Sequence, residues 1–507
     1  MTSLEFQTEQ SRQSVDTPVT RENDLYISAP AMKWVSAVLL AYFGCRLLFF
    51  SLNISPFVPP DEVTHAGICK AFAQSLLFPD NTPATYEFGL VTNIPWLYYW
   101  IMGKLLHLNF FGLPDLVFLR LLNIPLAFGT VYFVRQTLLL LTDNRLTQLL
   151  VLVAMTNTAM FSLLSASVSY DNLANLLAAM SIYYLMAFFS RRSPAALYAA
   201  GLSQLAGCLT KITFLPLALA LDVLLAAYIC ANRRTVPGAL QQDFRQSGPR
   251  RWVTAALILI ALGLNLHLYG GNYLRYDALN PSMATVLSTE KAMNYRLEAR
   301  GTIFNLYKAG KISYMDALML AGEIKHPGDK ADTFYLLMNF ENLKRNPQLW
   351  LGPRQYIKVW FLNMVSTVFG IKAHLIMVKE TRYLVPLYLV MGCALLGFIV
   401  RWRPGDAGWV PLSLAAVTIC YAGYLLYEVN YDMYRNYGAP GLTLYGRYLF
   451  PLLAPGYVLM CHYLLLLFRN RHLRWALALG TALLFIVYDF PWFLMHATPE
   501  WYDWLPR

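Results

Sequence analysis

Apolar runs of about 20 residues recur along the chain, separated by short polar segments, and each run is long enough to cross a bilayer as a helix. They fall at roughly 34–54, 116–141 and 146–167, then in a fourth run ending at Arg191-Arg192. Further runs follow at about 195–209, 214–231, 252–269, 383–400, 409–427, 449–468 and 475–495. A helix satisfies its own backbone hydrogen bonds in lipid. The pattern therefore predicts an all-α, polytopic integral membrane protein of about 11 transmembrane helices.

Two stretches break this rhythm. Residues 55–114 hold two predicted helices, one from Asp61 to about Leu77 and another from about Pro95 to His107. The second is aromatic (Trp96, Tyr98, Tyr99, Trp100) but is interrupted by Lys104 and His107, which places it on the membrane surface. Residues 271–381 form the one large hydrophilic region, with helical patterning at Tyr314–Ile324 and Phe334–Leu343. The expected organisation is a flexible cytosolic tail at 1–33, spans 1–7 within 34–270, the loop 271–381, and spans 8–11 within 382–507.

Charge sets the sidedness. Arg191-Arg192, Arg233-Arg234, Arg401 with Arg403, and Arg469 with Arg471 close successive runs, and such loops stay inside. Residues 233–251, with Arg245, Arg250 and Arg251, form a basic inner loop. The N-terminus is then cytosolic, while 55–114, 271–381 and a short C-terminus are external. A loop as long as 271–381 crosses despite its positive charges.

Composition narrows the class further. Hydrophobic residues make up 57% of the chain and charged residues 14%, with a mean hydropathy of +0.42. Soluble domains carry about 25% charge, so a soluble enzyme is excluded. The net charge of +11 sits largely in inner loops and marks topology, not a nucleic-acid partner. Of seven cysteines, six lie in or beside apolar runs and Cys69 stands apart, with no CxxC pair; neither a disulfide framework nor a zinc site is indicated. Residues 1–33 lack a secretory signal. The absence of internal repeats weighs against many secondary transporters.

The same threading gathers the unusual polar residues at the outer boundary: Asp61, Glu62, His65, Asp171, Lys211, Arg382 and Arg447. Arg46, inside the first span, is costly unless it snorkels or faces protein. Cations in short outer segments oppose the usual bias, and a bound anion would explain them. Arginine offers phosphate a planar fork and lysine a mobile point charge, and a lipid-linked phosphate sits at this depth. In Pro59-Pro60-Asp61-Glu62-Val63-Thr64-His65, a helix would set Asp61 and His65 four apart and Glu62 and His65 three apart, on one face.

Each residue also has a plainer role open to it. Asp61 and Asp171 each suit a helix cap, Lys211 could snorkel, and Arg447 could pair with Glu428 or Asp432. His65 could be an ordinary hydrogen-bonding helix histidine. A divalent metal held by Asp61, Glu62 and His65 is a further alternative, but the expectation is a site that needs no metal or cofactor. A carboxylate can take the proton of an acceptor hydroxyl as it attacks a sugar's anomeric carbon. A phosphate leaving group needs a cation to meet its developing charge.

At these residues the sequence resembles a family. Pro59-Pro60-Asp61-Glu62-x-x-His65 is similar to the PPDEPxH signature of DUF2142-type bacterial membrane proteins, relatives of the GT-C glycosyltransferases. Ser169-Tyr170-Asp171-Asn172 resembles the family's SYD segment, Lys211 to Pro216 its K-x-x-x-x-P segment, and Gly446-Arg447-Tyr448-Leu449-Phe450-Pro451 its QGRY-x-x-P segment. Val63 departs from the usual proline and Tyr445 from the usual glutamine.

The resemblance implies a GT-C-like fold and a polyprenyl-phosphate-linked sugar donor. It implies transfer on the external face of the bacterial cytoplasmic (inner) membrane, to a glycan or lipid-linked acceptor. Asp61 would be the base and Glu62 would orient the acceptor. Lys211 and Arg447 would hold the donor phosphate, with His65, Asp171, Tyr170 and Tyr448 in support. The expected activity is that of an inverting membrane glycosyltransferase. The alternatives are a transporter or flippase for a lipid-linked saccharide, or a polysaccharide polymerase or ligase.

Overall fold

A computed structural model describes residues 27–234, 236, 238, 248–324, 327–403 and 408–502. Positions 1–26 of the expected tail, and most of 235–247 including Arg245, lie outside the described residues. The first part of the chain forms α1 (Ala29–Asn53), α2 (Glu62–Gln74), α3 (Leu97–Leu106), α4 (Asp115–Leu139), α5 (Arg145–Thr156) and α6 (Ala159–Ser165). It continues as α7 (Tyr170–Arg191), α8 (Pro194–Thr210), α9 (Phe214–Ala231) and α10 (Gly248–Asn265). The long hydrophilic segment contains α11 (Arg296–Lys308), α12 (Tyr314–Gly322), α13 (Pro327–Arg345), α14 (Pro353–Phe369) and a hairpin of β1 (Ile371–Lys372) and β2 (Ile376–Met377). Last come α15 (Thr381–Arg401), α16 (Val410–Tyr424), a 3-10 turn at Gly446–Leu452, α17 (Leu453–Leu467), α18 (Arg471–Tyr488) and α19 (Phe490–His496).

Among the described residues, nine helices are long and apolar enough to cross a membrane, or ten if the bent pair α5–α6 is one span. The remaining expected span, α8, has 17 residues. The protein is an all-α polytopic membrane protein. Its helices start where the side chains dictate. Ser28 accepts the Ala31 N–H at 3.2 Å with Pro30 in the first turn of α1, and Asn144 accepts the Thr147 N–H of α5, each filling an amide that the helix leaves open.

The third apolar run is expected to be one continuous helix, but it bends by 64° between α5 and α6. Side chains at the break take over helix carbonyls: the Asn157 amide donates to Val153 O at 2.9 Å and the Thr158 hydroxyl to Ala154 O at 2.8 Å. The Thr156 carbonyl receives the guanidinium of Arg46 from α1. Arg46 also pairs with Asp489, at the junction of α18 and α19, and Ser162 donates to the same carboxylate at 3.2 Å. The costly arginine of the first span thus faces protein.

α7 is the most buried span and packs against α4, α8 and α9. α3 is not among the helices long and apolar enough to span; it buries Tyr98, Tyr99 and Met102 and lies close against α2. A Cβ at Gly103 would stand 2.7 Å from Cys69 O and 2.9 Å from Ala73 N, so only glycine allows that approach. α14 was not anticipated within the hydrophilic segment. It buries Met364, Val365 and Phe369, packs on α6 and the 3-10 turn, and sets Phe369 5.5 Å from the ring of Phe485. α11, α12 and α13 share a small core of their own around Ile303, Phe304 and Leu337.

Candidate active site

The chain leaves α1, passes Pro59-Pro60 and turns into α2 at Asp61, which is left-handed (φ 59°, ψ 18°). Few residues without glycine's freedom adopt that conformation, aspartate among the more tolerant. The Asp61 side chain makes no helix-cap hydrogen bond. Its Oδ2 instead lies 3.2 Å from Nη2 of Arg447, and its N–H donates to Nε2 of His374 at 3.4 Å.

Arg447 rides on the 3-10 turn, and the turn is pressed onto α14. Gly446 N–H donates to Thr367 Oγ1 at 2.8 Å, and a Cβ on Gly446 would meet Val368 N at 2.4 Å. The arginine is buried between the rings of Tyr445 and Tyr448, 5.3 and 5.5 Å from their centroids. Among the described residues its Nε has no hydrogen-bond partner. The pairing open to it in the sequence, with Glu428 or Asp432, gives way to Asp61.

Lys211 ends α8, and its Nζ forms an ion pair with Asp171 at the start of α7. The cap of α7 is Ser169, whose hydroxyl accepts the Asp171 N–H at 3.2 Å, so the aspartate carboxylate is left for the lysine. Nζ lies 5.2 Å from the ring of Tyr170 and 5.0 Å from that of Tyr448. Tyr448 is therefore shared by both cations, and the two ion pairs form one group, buried except at Asp61.

His65 lies beside this group, not in it. Its Nδ1 is 2.8 Å from the Tyr99 hydroxyl, and its ring meets that of Tyr170 edge-on at 4.6 Å. Burial pushes its ordinary value of 6.5 down to about 4, with Arg447 and Lys211 acting the same way and Asp61 and Asp171 opposing. It is a neutral hydrogen-bonding residue at neutral pH.

Glu62 requires a correction. Its fully buried carboxylate faces away from Asp61, toward Arg120 of α4, at 2.8 Å from Nε and 2.5 Å from Nη2. It also accepts the Val168 N–H at 2.8 Å. Its side chain is closed off from solvent. Asp61, Glu62 and His65 do not converge, and among the described residues no group of three or more such side chains is placed to hold a metal ion. Arg382 is exposed and pairs with Glu380 at 2.8 Å, outside the site.

A cavity of about 1050 Å³ opens against Asp61 and is bordered by Phe88, Arg300, Tyr335, His374 and Tyr445 among others. Asp61 thus stands between an open chamber and the buried cations. The sequence reading passed over Arg120 and His374. Arg120 had a signal, as a lone charge inside an apolar run that must find a partner; His374 had none.

Fold and site together define a polytopic membrane protein with a polar, cation-containing centre at one end of its bundle. No protein-family model matches the sequence, and no curated protein matches it. One solved structure it is similar to is described as the crystal structure of ArnT from Cupriavidus metallidurans in the apo state. The two chains are 13% identical with a TM-score of 0.36, over 86% of this chain and 78% of that one. At that similarity the likeness assigns neither fold nor activity.

Proposed function

We propose that the protein is a membrane glycosyltransferase. It moves a sugar from a polyprenyl-phosphate donor to a hydroxyl of a glycan or lipid-linked acceptor, on the external face of the bacterial cytoplasmic membrane. The observation that carries this reading is the buried group itself. Two cations from distant parts of the chain, Lys211 and Arg447, share the Tyr448 ring, and one of them is paired with a carboxylate that borders a large cavity. A phosphate between the cations would compete with Asp171 and Asp61 for them, and the Nε of Arg447, without a partner among the described residues, is a ready donor to its oxygens.

Phosphate binding would then release the Asp61 carboxylate toward the cavity, where the acceptor lies. Asp61 takes the proton of the acceptor hydroxyl as that oxygen bonds to the anomeric carbon. The bond from that carbon to the phosphate oxygen breaks, and its electron pair leaves on polyprenyl phosphate, met by Lys211 and Arg447. One displacement inverts the anomeric centre. No metal or cofactor is needed for this sequence of bonds.

The test is Asp61→Asn in the purified protein, assayed for sugar release from a polyprenyl-phosphate-linked sugar and for binding of polyprenyl phosphate. Turnover should fall by about 10²–10⁴-fold, the usual worth of a positioned base, with lipid binding retained. Unchanged turnover would remove Asp61 from its role. A wild-type protein that binds and moves the lipid-linked saccharide without releasing sugar would replace transfer with transport.

A further inference from the structure

The hairpin of β1 and β2 pairs Ile371 with Met377 and Lys372 with Ile376, leaving Ala373, His374 and Leu375 as its tip. So small a hairpin has no stability of its own in water, and its position is set by what it touches. On one side the His374 N–H donates to Val58 O at 3.1 Å, while its Nε2 accepts the Asp61 N–H at 3.4 Å. On the other, Lys372 Nζ donates to Gly441 O at 3.3 Å and Leu444 O at 3.1 Å. The same ammonium lies 4.8 Å from the ring of Tyr445, which in turn covers Arg447. At its root the hairpin is anchored: Ile371 is buried and β1 packs on α6.

The hairpin therefore grips both segments that carry the Asp61–Arg447 pair, whose members are 386 residues apart in sequence. Its grip on Asp61 adds to the Arg447 pair at the carboxylate and to the His65 N–H, which donates to the Asp61 carbonyl at 2.9 Å. Pro59 and Pro60 carry no N–H, so the Asp61 amide is the first donor after Val58. A left-handed non-glycine residue persists only when its surroundings hold it. For Nε2 to accept, the imidazole must be neutral with its proton on Nδ1.

We propose that this hairpin is a positioning clamp: His374 fixes the turn from which the Asp61 carboxylate projects, Lys372 fixes the segment leading into Arg447, and together they set the spacing of base and cation. The catalytic meaning of that spacing rests on the proposed transfer reaction. The clamp itself does not, and it can be measured without turnover.

The experiment is amide hydrogen exchange on the full-length protein in detergent, following the peptide that contains Val58 to Val63, for His374→Leu, His374→Gln and Lys372→Met. Glutamine offers an acceptor oxygen in place of Nε2; leucine offers none. His374→Leu should speed exchange of the Asp61 amide by on the order of tenfold, as for loss of a local protecting contact, and His374→Gln should restore protection. Where sugar transfer is present, His374→Leu should lower kcat with the donor KM unchanged, and Lys372→Met should raise the donor KM. Unaltered exchange in His374→Leu, or no recovery in His374→Gln, overturns the clamp while leaving the transferase reading intact. Protection that follows the acceptor atom in a protein without transfer activity supports the clamp and removes the transferase reading alone.

Discussion

Asp61 and Glu62 are neighbours in sequence with opposite surroundings. Asp61 is partly open to the cavity, while Glu62 is sealed against Arg120. Removing one member of such a buried pair leaves an uncompensated charge, at a cost of about 3–5 kcal/mol. Glu62→Gln should therefore lower the apparent melting temperature in detergent sharply, with turnover per folded molecule held within about threefold, since surface-distant stability changes leave transition-state contacts in place. His65 gives a second prediction. The unfolded chain takes up this proton near pH 6.5 and the folded one only near 4. Between those values the unfolded state binds more protons, so stability falls as pH drops through the window. The loss is on the order of 3 kcal/mol at most. Melting scans from pH 7 to 4.5 should show it, and His65→Gln should flatten the slope. At this scale the sequence singled out Asp61, Asp171, Lys211 and Arg447, because charges at span ends are costly without a use, and the structure brings the four together as two ion pairs. It misread Glu62, because direction around a left-handed turn is not written in spacing.

Helices were legible where lipid imposes their length, and less so where protein covers them. The spans α1, α4, α7, α9 and α15 match their apolar runs to within a few residues. α14 was hidden in a hydrophilic stretch, since Pro353–Phe369 opens with polar residues and buries only its later face. That helix is the floor on which the Arg447 turn rests, and the contact at Gly446 is backbone on backbone. Gly446→Ala has no flexible neighbour to displace, and an added methyl in a tight contact costs about 1–3 kcal/mol. The turn should lift away from α14 and carry Arg447 with it. Polyprenyl phosphate binding should weaken by about tenfold, which is 1.4 kcal/mol, measured on protein whose helical content is unchanged. The hairpin at 371–377 was equally unreadable, because nothing in local pattern ties residue 374 to residue 61.

Across the whole molecule, the buried charges act as joints between parts that the chain brings together late. Arg46 and Asp489 join the first span to the last, with the bent α5–α6 pair completing the contact through Thr156 and Ser162. Asp489→Ala should destabilise the protein by about 3–5 kcal/mol through the orphaned arginine, and the double variant Arg46→Met/Asp489→Leu should recover much of that loss. Apparent melting temperatures of the two variants and the parent check this directly. The sequence flagged Arg46 as anomalous but not its partner, because Asp489 sits at a break in what reads as one continuous apolar run. The same pairing has a consequence for biogenesis. During synthesis Arg46 enters the bilayer some 440 residues before its counter-ion is made, and Asp61 waits almost as long for Arg447. Neither joint can close until its later partner, Asp489 or Arg447, has been synthesised.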